Sequence, residues 1–215
     1  TILRTFACEM TIEEHPLEPF LPGGARVLFL GSFPPPRKRW SMEFFYPNWL
    51  NDFWRIMGLL LLGEPTALEK KGTKQFDQER IIRLATEHGL AFFDTAQQVC
   101  RTRDNASDQY LEIQQPTDVS HLLSLIPSCT QVVTTGGKAS EELLLQTDAL
   151  KMPAVGACVI CHIGTREIRW WRMPSTSRAY PMKLERKAAY YSLIFGQNNE
   201  GHHEHLQSTK RGRYT

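Results

Sequence analysis

Three short apolar runs punctuate the chain, each ends in small or polar residues, and stretches of helical periodicity separate them. Arg26–Leu30 (RVLFL) runs into Gly31, Leu90–Phe93 into Asp94, and Gln131–Thr135 (QVVTT) into Gly136-Gly137. Apolar runs of this length bounded by such residues suit buried strands. Between them, Asn51 reads as the N-cap of a helix running to Leu62, and Asp77–His88 as a second helix ended by Gly89. Thr117–Ile126 reads as a helix stopped by Pro127, and another opens at Lys138 and runs to about Leu145. Two strands, 157–163 and 167–173, flank a Gly164-Thr165 turn, and a last helix runs from about Pro181 to Phe195. Strands alternating with helices predict an α/β fold with a mainly parallel sheet and helices on both faces. Ligands of such sheets bind beyond the carboxyl ends of the strands.

A chain of 215 residues is one domain's length and buries a substantial core without staples. Residues 1–24, broken by Pro16, Pro19, Pro22, Gly23 and Gly24, read as an irregular arm. Residues 25–196 read as a single domain, the polar stretch 101–116 as a loop, and 197–215 as a polar, basic tail expected to be disordered. No internal repeat is visible. The apolar share of 41% and charged share of 22% are those of a soluble globular protein. No apolar stretch is long enough to span a membrane and no secretory signal is seen, so no membrane partner is expected. The five cysteines, 8, 100, 129, 158 and 161, are odd in number, which predicts free thiols in a reducing, intracellular (cytoplasmic) setting. Cys158 and Cys161 have zinc or redox spacing but lack a second pair, and are expected to be buried structural thiols.

Net charge is only +2, so a polyanionic partner must be met by local clustering. Two clusters stand out. The segment 31–54 (GSFPPPRKRWSMEFFYPNWLNDFW) carries Phe33, Trp40, Phe44, Phe45, Tyr46 and Trp49 beside Arg37-Lys38-Arg39. Exposed aromatics beside cations are what stacking on an unpaired base and contacting its phosphates require. The same composition also describes a lid loop packed on the sheet with a solvated basic tip. From Thr165 to Lys187, Arg166, Arg169, Arg172, Arg178, Lys183, Arg186 and Lys187 face only Glu167 and Glu185. That excess would attract a phosphate backbone, or be a solvated strand and helix surface. Small polar residues before helices, Ser175-Thr176-Ser177 and Thr134 to Lys138, offer free N–H groups and hydroxyls to phosphates, or simply cap and turn the chain. The Gly136-Gly137 pair lacks P-loop spacing.

Five motifs in this order resemble the uracil-DNA glycosylase superfamily, and most of all its branch that includes hypoxanthine-DNA glycosylases. They are LFLGSFP (28–34), FFYPNWLNDFW (44–54), GLAFFDTA (89–96), VVTTGGKA (132–139) and MPSTSRA (173–179). The resemblance spans about His15 to Tyr191. It implies a three-layer α/β/α sandwich around a short, mainly parallel sheet. It also implies hydrolysis of the bond between deoxyribose and a deaminated base, uracil or hypoxanthine, flipped out of DNA in base excision repair. Two positions depart from the better-known pattern. Phe33 stands where many relatives carry a residue that polarises water, and Met173 where they carry a His that stabilises the departing base.

By the resemblance, catalysis falls to Asn51, which orients water or hydrogen-bonds the base, and which as a bare residue reads as a helix cap. Asp94 takes the place of a base-reading polar residue, with general base as its alternative. Uracil and hypoxanthine both offer the ring N–H a carboxylate would accept, so Asp94 does not separate them. Gly31, Ser32, Phe33 and Tyr46 are expected to form the base pocket, Phe33 and Tyr46 by stacking. Ser175, Thr176, Ser177 and Lys183 are expected at DNA phosphates, and Arg178 near the vacated stack. Asp104, Asn105 and Asp108 are reserve candidates. His202-His203-Glu204-His205 is at most an adventitious metal site, and neither a metal nor another cofactor is expected. The expected partner is DNA bearing a damaged base, bound by a monomer. The competing classes are a DNA-binding module that lost its chemistry and a hydrolase of free nucleosides or nucleotides.

Overall fold

The structure is a computed structural model and describes residues 11–102 and 111–196. The buried runs form three adjacent strands on one side of a five-stranded sheet. Strands β2 (Val27–Gly31), β3 (Leu90–Asp94) and β6 (Gln131–Thr135) are joined by β8 (Arg166–Met173) and β7 (Cys158–Ile163). The spatial order is β3-β2-β6-β8-β7. All pairings are parallel except the β7–β8 hairpin. Every residue of β2 and β3 is buried, which is why these strands carry apolar runs rather than alternation.

Helices flank the sheet. They are α1 (Phe53–Leu62), α2 (Gln78–Glu87), α3 (Val119–Leu125), α4 (Gly137–Leu144) and α5 (Leu184–Gly196). Their ends follow local chemistry. Asp77 accepts from the Arg80 N–H at 3.1 Å and Asp118 from the His121 N–H at 2.9 Å, capping α2 and α3. Gly63 closes α1 in the left-handed region at φ 74°. Gly89 turns α2 into β3 at φ 64°, where a β-carbon would also press on the Gly24 carbonyl. The core is aromatic: Phe29, Phe53, Trp54, Phe92, Trp170 and Tyr191 are wholly buried. No helix among the described residues is long and apolar enough to cross a membrane.

A second sheet departs from expectation. Strand β1 (Ile12–Glu14) pairs antiparallel with β4 (Ala96–Arg101), and β4 with β5 (Leu111–Pro116). The stretch expected as a loop over 101–116 therefore ends in a strand, and the arm expected to be irregular holds another. Farther along, the arm bonds back to the main sheet: Phe20 and Phe92 exchange backbone hydrogen bonds of 3.0 and 2.9 Å. Two features hid this sheet. Register shifts around Gln98 break the alternation of β4, and β5 buries only Leu111, so its solvated residues read as loop. Residues 1–10, 103–110 and 197–215 lie outside the described residues, and with them Cys8, the reserve candidates Asp104, Asn105 and Asp108, the tail, and His202–His205.

Candidate active site

The carboxyl ends of β2, β3, β6 and β8 open into one pocket of about 600 Å³. Gly31 ends β2 and Ser32–Pro35 follow it, Asp94 ends β3, Thr135 ends β6, and Ser175–Ser177 follow β8. The loop before α1 adds Tyr46 and Asn51, and the arm adds Leu17. Asn51, Asp94, Gly31, Ser32, Phe33, Tyr46 and Ser175–Ser177, singled out from the sequence, are thus brought to one cavity.

Asp94 is the carboxylate of this pocket, which Arg39 also lines. Its side chain is 11% exposed, and Oδ2 lies 3.0 Å from His15 Nε2. A carboxylate only accepts, so Nε2 carries the hydrogen. His15 Nδ1 lies 2.8 Å from the Leu17 carbonyl and 3.2 Å from the Leu17 N–H, so both ring nitrogens are engaged. Phe93 and Phe33 wall the imidazole, their ring centres 4.5 and 5.3 Å away. The Asp94 backbone is fixed too: its carbonyl accepts from the Thr117 hydroxyl at 2.7 Å. Its other carboxylate oxygen, Oδ1, sits against Gly31, where a β-carbon would collide with it. Glycine at 31 is therefore required by the carboxylate, not by its backbone angles.

Asn51 was expected as the α1 cap. The cap position belongs to Asp52, which makes no side-chain cap bond. Asn51 still does the work from one residue earlier, its Oδ1 accepting from the Phe53 N–H at 2.8 Å. Because that N–H can only donate, the amide orientation is settled by chemistry, and the NH₂ remains to serve the pocket. The Asn51 backbone is clamped from two sides. Arg55 Nη1 donates to its carbonyl at 3.1 Å, and Asn51 forms an isolated bridge with Ser177.

Tyr46 is strained. It sits at φ 53°, the left-handed region that costs a bulky residue roughly 1–2 kcal/mol. Its ring stacks on Phe53, centres 3.9 Å apart and planes 6° apart. Its hydroxyl meets Thr135 Oγ1 at 3.0 Å. Burial first, then the Asp94 charge, pushes the phenol far above its usual range, against the Thr135 hydrogen bond. Tyr46 therefore stays a neutral donor. One ring face is already taken, so its hydroxyl is the group it offers the pocket. Phe33 lines the pocket as expected but is only 9% exposed, its ring shared with His15 and the Arg101 guanidinium.

The basic cluster is less of a phosphate face than its count suggested. Arg166 donates to the carbonyls of Leu123, Ile126, Pro127 and Cys129, and Arg172 to Pro153. Lys187 is fully buried and bonds Asp52 Oδ2 at 2.9 Å and the Ser177 carbonyl at 2.8 Å. Arg178 Nε bonds Asp52 Oδ1 at 3.1 Å with its side chain 46% exposed. Neither Arg178 nor Lys183, both expected at DNA, lines the pocket, although both are exposed. Met173 is buried and does not line it.

His15 and the Asp52–Lys187 pair were missed from the sequence. The one hint of His15 was a histidine in an otherwise Pro-rich arm, since its partner lies far along the chain. The cysteine expectation holds for Cys161 and fails for Cys158, which is exposed. Residues three apart on a strand face opposite ways, so the pair forms no site. Burial pushes the Cys129 and Cys161 thiols up to about 11. Among the described residues no group of His, Cys, Asp and Glu is arranged to hold a metal ion.

No protein-family model matches the chain, and no curated protein matches it. Among solved structures it is similar to the solution NMR structure of a "putative Uracil DNA glycosylase" from Methanosarcina acetivorans, at 20% identity and a TM-score of 0.60. The likeness covers 87% of this chain and 99% of that one. The chain thus has the fold of that protein, a central, mainly parallel sheet flanked by helices.

Proposed function

We propose that the protein is a DNA glycosylase that hydrolyses the N-glycosidic bond of a deaminated base flipped into the pocket. The observation that carries this reading is the convergence of Asn51 and Asp94 on one cavity at the strand ends. The fold likeness and the motif resemblance support it. Flipping places the base in the pocket and the sugar at its mouth. The C1′–N bond breaks, its electron pair leaves with the base, and positive charge develops on the sugar. The Asp94 carboxylate favours that charge from across the base, by its negative potential rather than by contact. Asn51 holds a water through its amide. The water oxygen bonds to C1′, and its proton is lost to solvent once the new bond has formed. His15 positions Asp94, and the Phe33 and Phe45 rings wall off competing water.

The test is release of free base from oligonucleotides carrying uracil or hypoxanthine, in duplex and single strands. Wild type is expected to release at least one, and Asn51→Ala to lose about 10²-fold or more of that rate. Folded protein that releases neither overturns the reading. One observation favours hydrolysis of free nucleosides instead: Arg166, Arg172 and Lys187 are tied into the fold rather than presented to a polyanion. Turnover of deoxyinosine or deoxyuridine at rates matching those on DNA would establish that alternative.

A further inference from the structure

We propose that Tyr46 and Asp94 together read the lactam edge of the base, its adjacent C=O and N–H, with Tyr46 determining specificity on the carbonyl side. This rests on the glycosylase reading but concerns recognition, which can be measured without turnover.

Both polar atoms stand over Gly31. A β-carbon there would touch Asp94 Oδ1 and lie 3.9 Å from the Tyr46 hydroxyl. His15 occupies Asp94 Oδ2, which leaves Oδ1 as a bare acceptor facing the space that glycine keeps open. The Tyr46 and Thr135 hydroxyls hold two protons between them. If Tyr46 donates to Thr135, the Thr135 proton has only the Leu30 carbonyl, at a long 3.5 Å. If Thr135 donates to Tyr46, the Tyr46 proton is free for the pocket. A ligand carbonyl favours the second arrangement, because it exchanges a poor bond for a good one. Stacking on Phe53 and the fixed left-handed backbone hold the phenol in place.

An acceptor beside a donor complements an N–H beside a C=O. Hypoxanthine offers N1–H and C6=O, and uracil offers N3–H and C4=O. Adenine and cytosine present the reverse: a ring lone pair would face Asp94 and an amino group would face Tyr46. Both contacts would then be mismatched, and buried mismatches reject a ligand far more strongly than a lost methylene. Ser175 and Ser177 also line the pocket, and Tyr46→Phe separates their hydroxyls from that of Tyr46 as the carbonyl-side donor.

The experiment titrates free bases into the full chain and follows backbone amide NMR shifts. Hypoxanthine and uracil are expected to bind about tenfold or more tightly than adenine and cytosine. The thione analogues 6-mercaptopurine and 4-thiouracil keep the N–H but weaken the acceptor, so wild type should prefer the oxo bases. Tyr46→Phe keeps the ring and its stacking, and should abolish that oxo preference while retaining rejection of adenine. Equal binding of adenine and hypoxanthine, an oxo preference that survives Tyr46→Phe, or no binding of any base up to its solubility limit overturns the proposal. Base release is scored separately. Discrimination without release keeps this inference and sinks the hydrolytic reading. Release without discrimination does the reverse.

Discussion

Lys187 is the buried cation on which the geometry of the Asn51 region depends, and its removal has a calculable signature. Its side chain is 0% exposed, and its ammonium bonds Asp52 Oδ2 at 2.9 Å and the Ser177 carbonyl at 2.8 Å. Removing one partner of a buried pair typically costs about 3–5 kcal/mol, because the other charge is stranded. In Lys187→Met, Asp52 keeps its Arg178 bond, so a loss of about 2–3 kcal/mol is expected. In Asp52→Asn, Lys187 keeps only the Ser177 carbonyl and a neutral amide, so the loss should be larger, about 3–4 kcal/mol. The double variant strands no charge inside the protein and should be more stable than the sum of the singles implies, by about 2 kcal/mol. Urea unfolding of all four proteins, read as midpoint and slope, measures this coupling. The Asp52 N–H also donates to the Thr176 carbonyl at 2.9 Å, and Asn51 bridges Ser177, so base release should fall along with stability. Additivity of the two single losses within about 0.5 kcal/mol would refute the reasoning.

Other predictions follow from the same contacts. Gly31→Ala should lower base release about tenfold or more by displacing Asp94, since a charged hydrogen bond of about 1.5–3 kcal/mol is disturbed. In an Asp94→Ala background the same change should leave the unfolding midpoint almost untouched, and an equal loss in both backgrounds would show that the carboxylate is not what glycine accommodates. His15→Phe keeps the aromatic packing but deletes the bond to Asp94; it should slow base release more than His15→Gln, which retains a donor, and equal rates would remove His15 from the site. Among the described cysteines of the native protein, brief iodoacetamide treatment near neutral pH should alkylate Cys158, with Cys129 and Cys161 protected by burial and by thiols raised to about 11. Peptide mapping that finds Cys129 modified as fast as Cys158 contradicts this.

Strands β2, β3 and β6 of the main sheet were legible because they are buried almost throughout and therefore spell short, mostly apolar runs. Val27–Gly31 and Leu90–Asp94 needed no partner to be recognised. The β1-β4-β5 sheet was not legible, because a half-solvated strand such as Leu111–Pro116 has the composition of a loop and a bulged one such as Ala96–Arg101 lacks the period of a strand. Charge counting failed for a different reason. A count does not tell a cation that points outward from one like Lys187 that closes an internal network. Of the expected site residues, Gly31, Ser32, Phe33, Tyr46, Asn51, Asp94 and Ser175–Ser177 line the pocket, Asn48 and Tyr180 line it without having been singled out, and the residue that holds Asp94 was missed altogether, His15. Its contact with Asp94 joins an arm to a strand end, and long-range contacts leave no local pattern.

That contact bears on the two departures from the better-known pattern. Phe33 follows β2 and packs with Ala96, Val99 and Leu111, yet polar groups also reach its ring. Its ring meets His15 edge-on, and His15 brings a polar nitrogen from the arm to Asp94 at the next strand end. Met173 removes the donor after β8, while Tyr46 places a neutral hydroxyl at the end of β6, held by Thr135. His15 comes from the arm before the first central strand, and Tyr46, within the 44–54 motif, is a loop residue held in a strained backbone. Strain of that kind persists only where surrounding contacts over-determine it, and here the Phe53 stack and the Thr135 bond do so. The pocket is thus not one that lost its polar groups. It holds a charged acceptor, Asp94, at the end of β3 and a neutral hydroxyl, that of Tyr46, beside the end of β6.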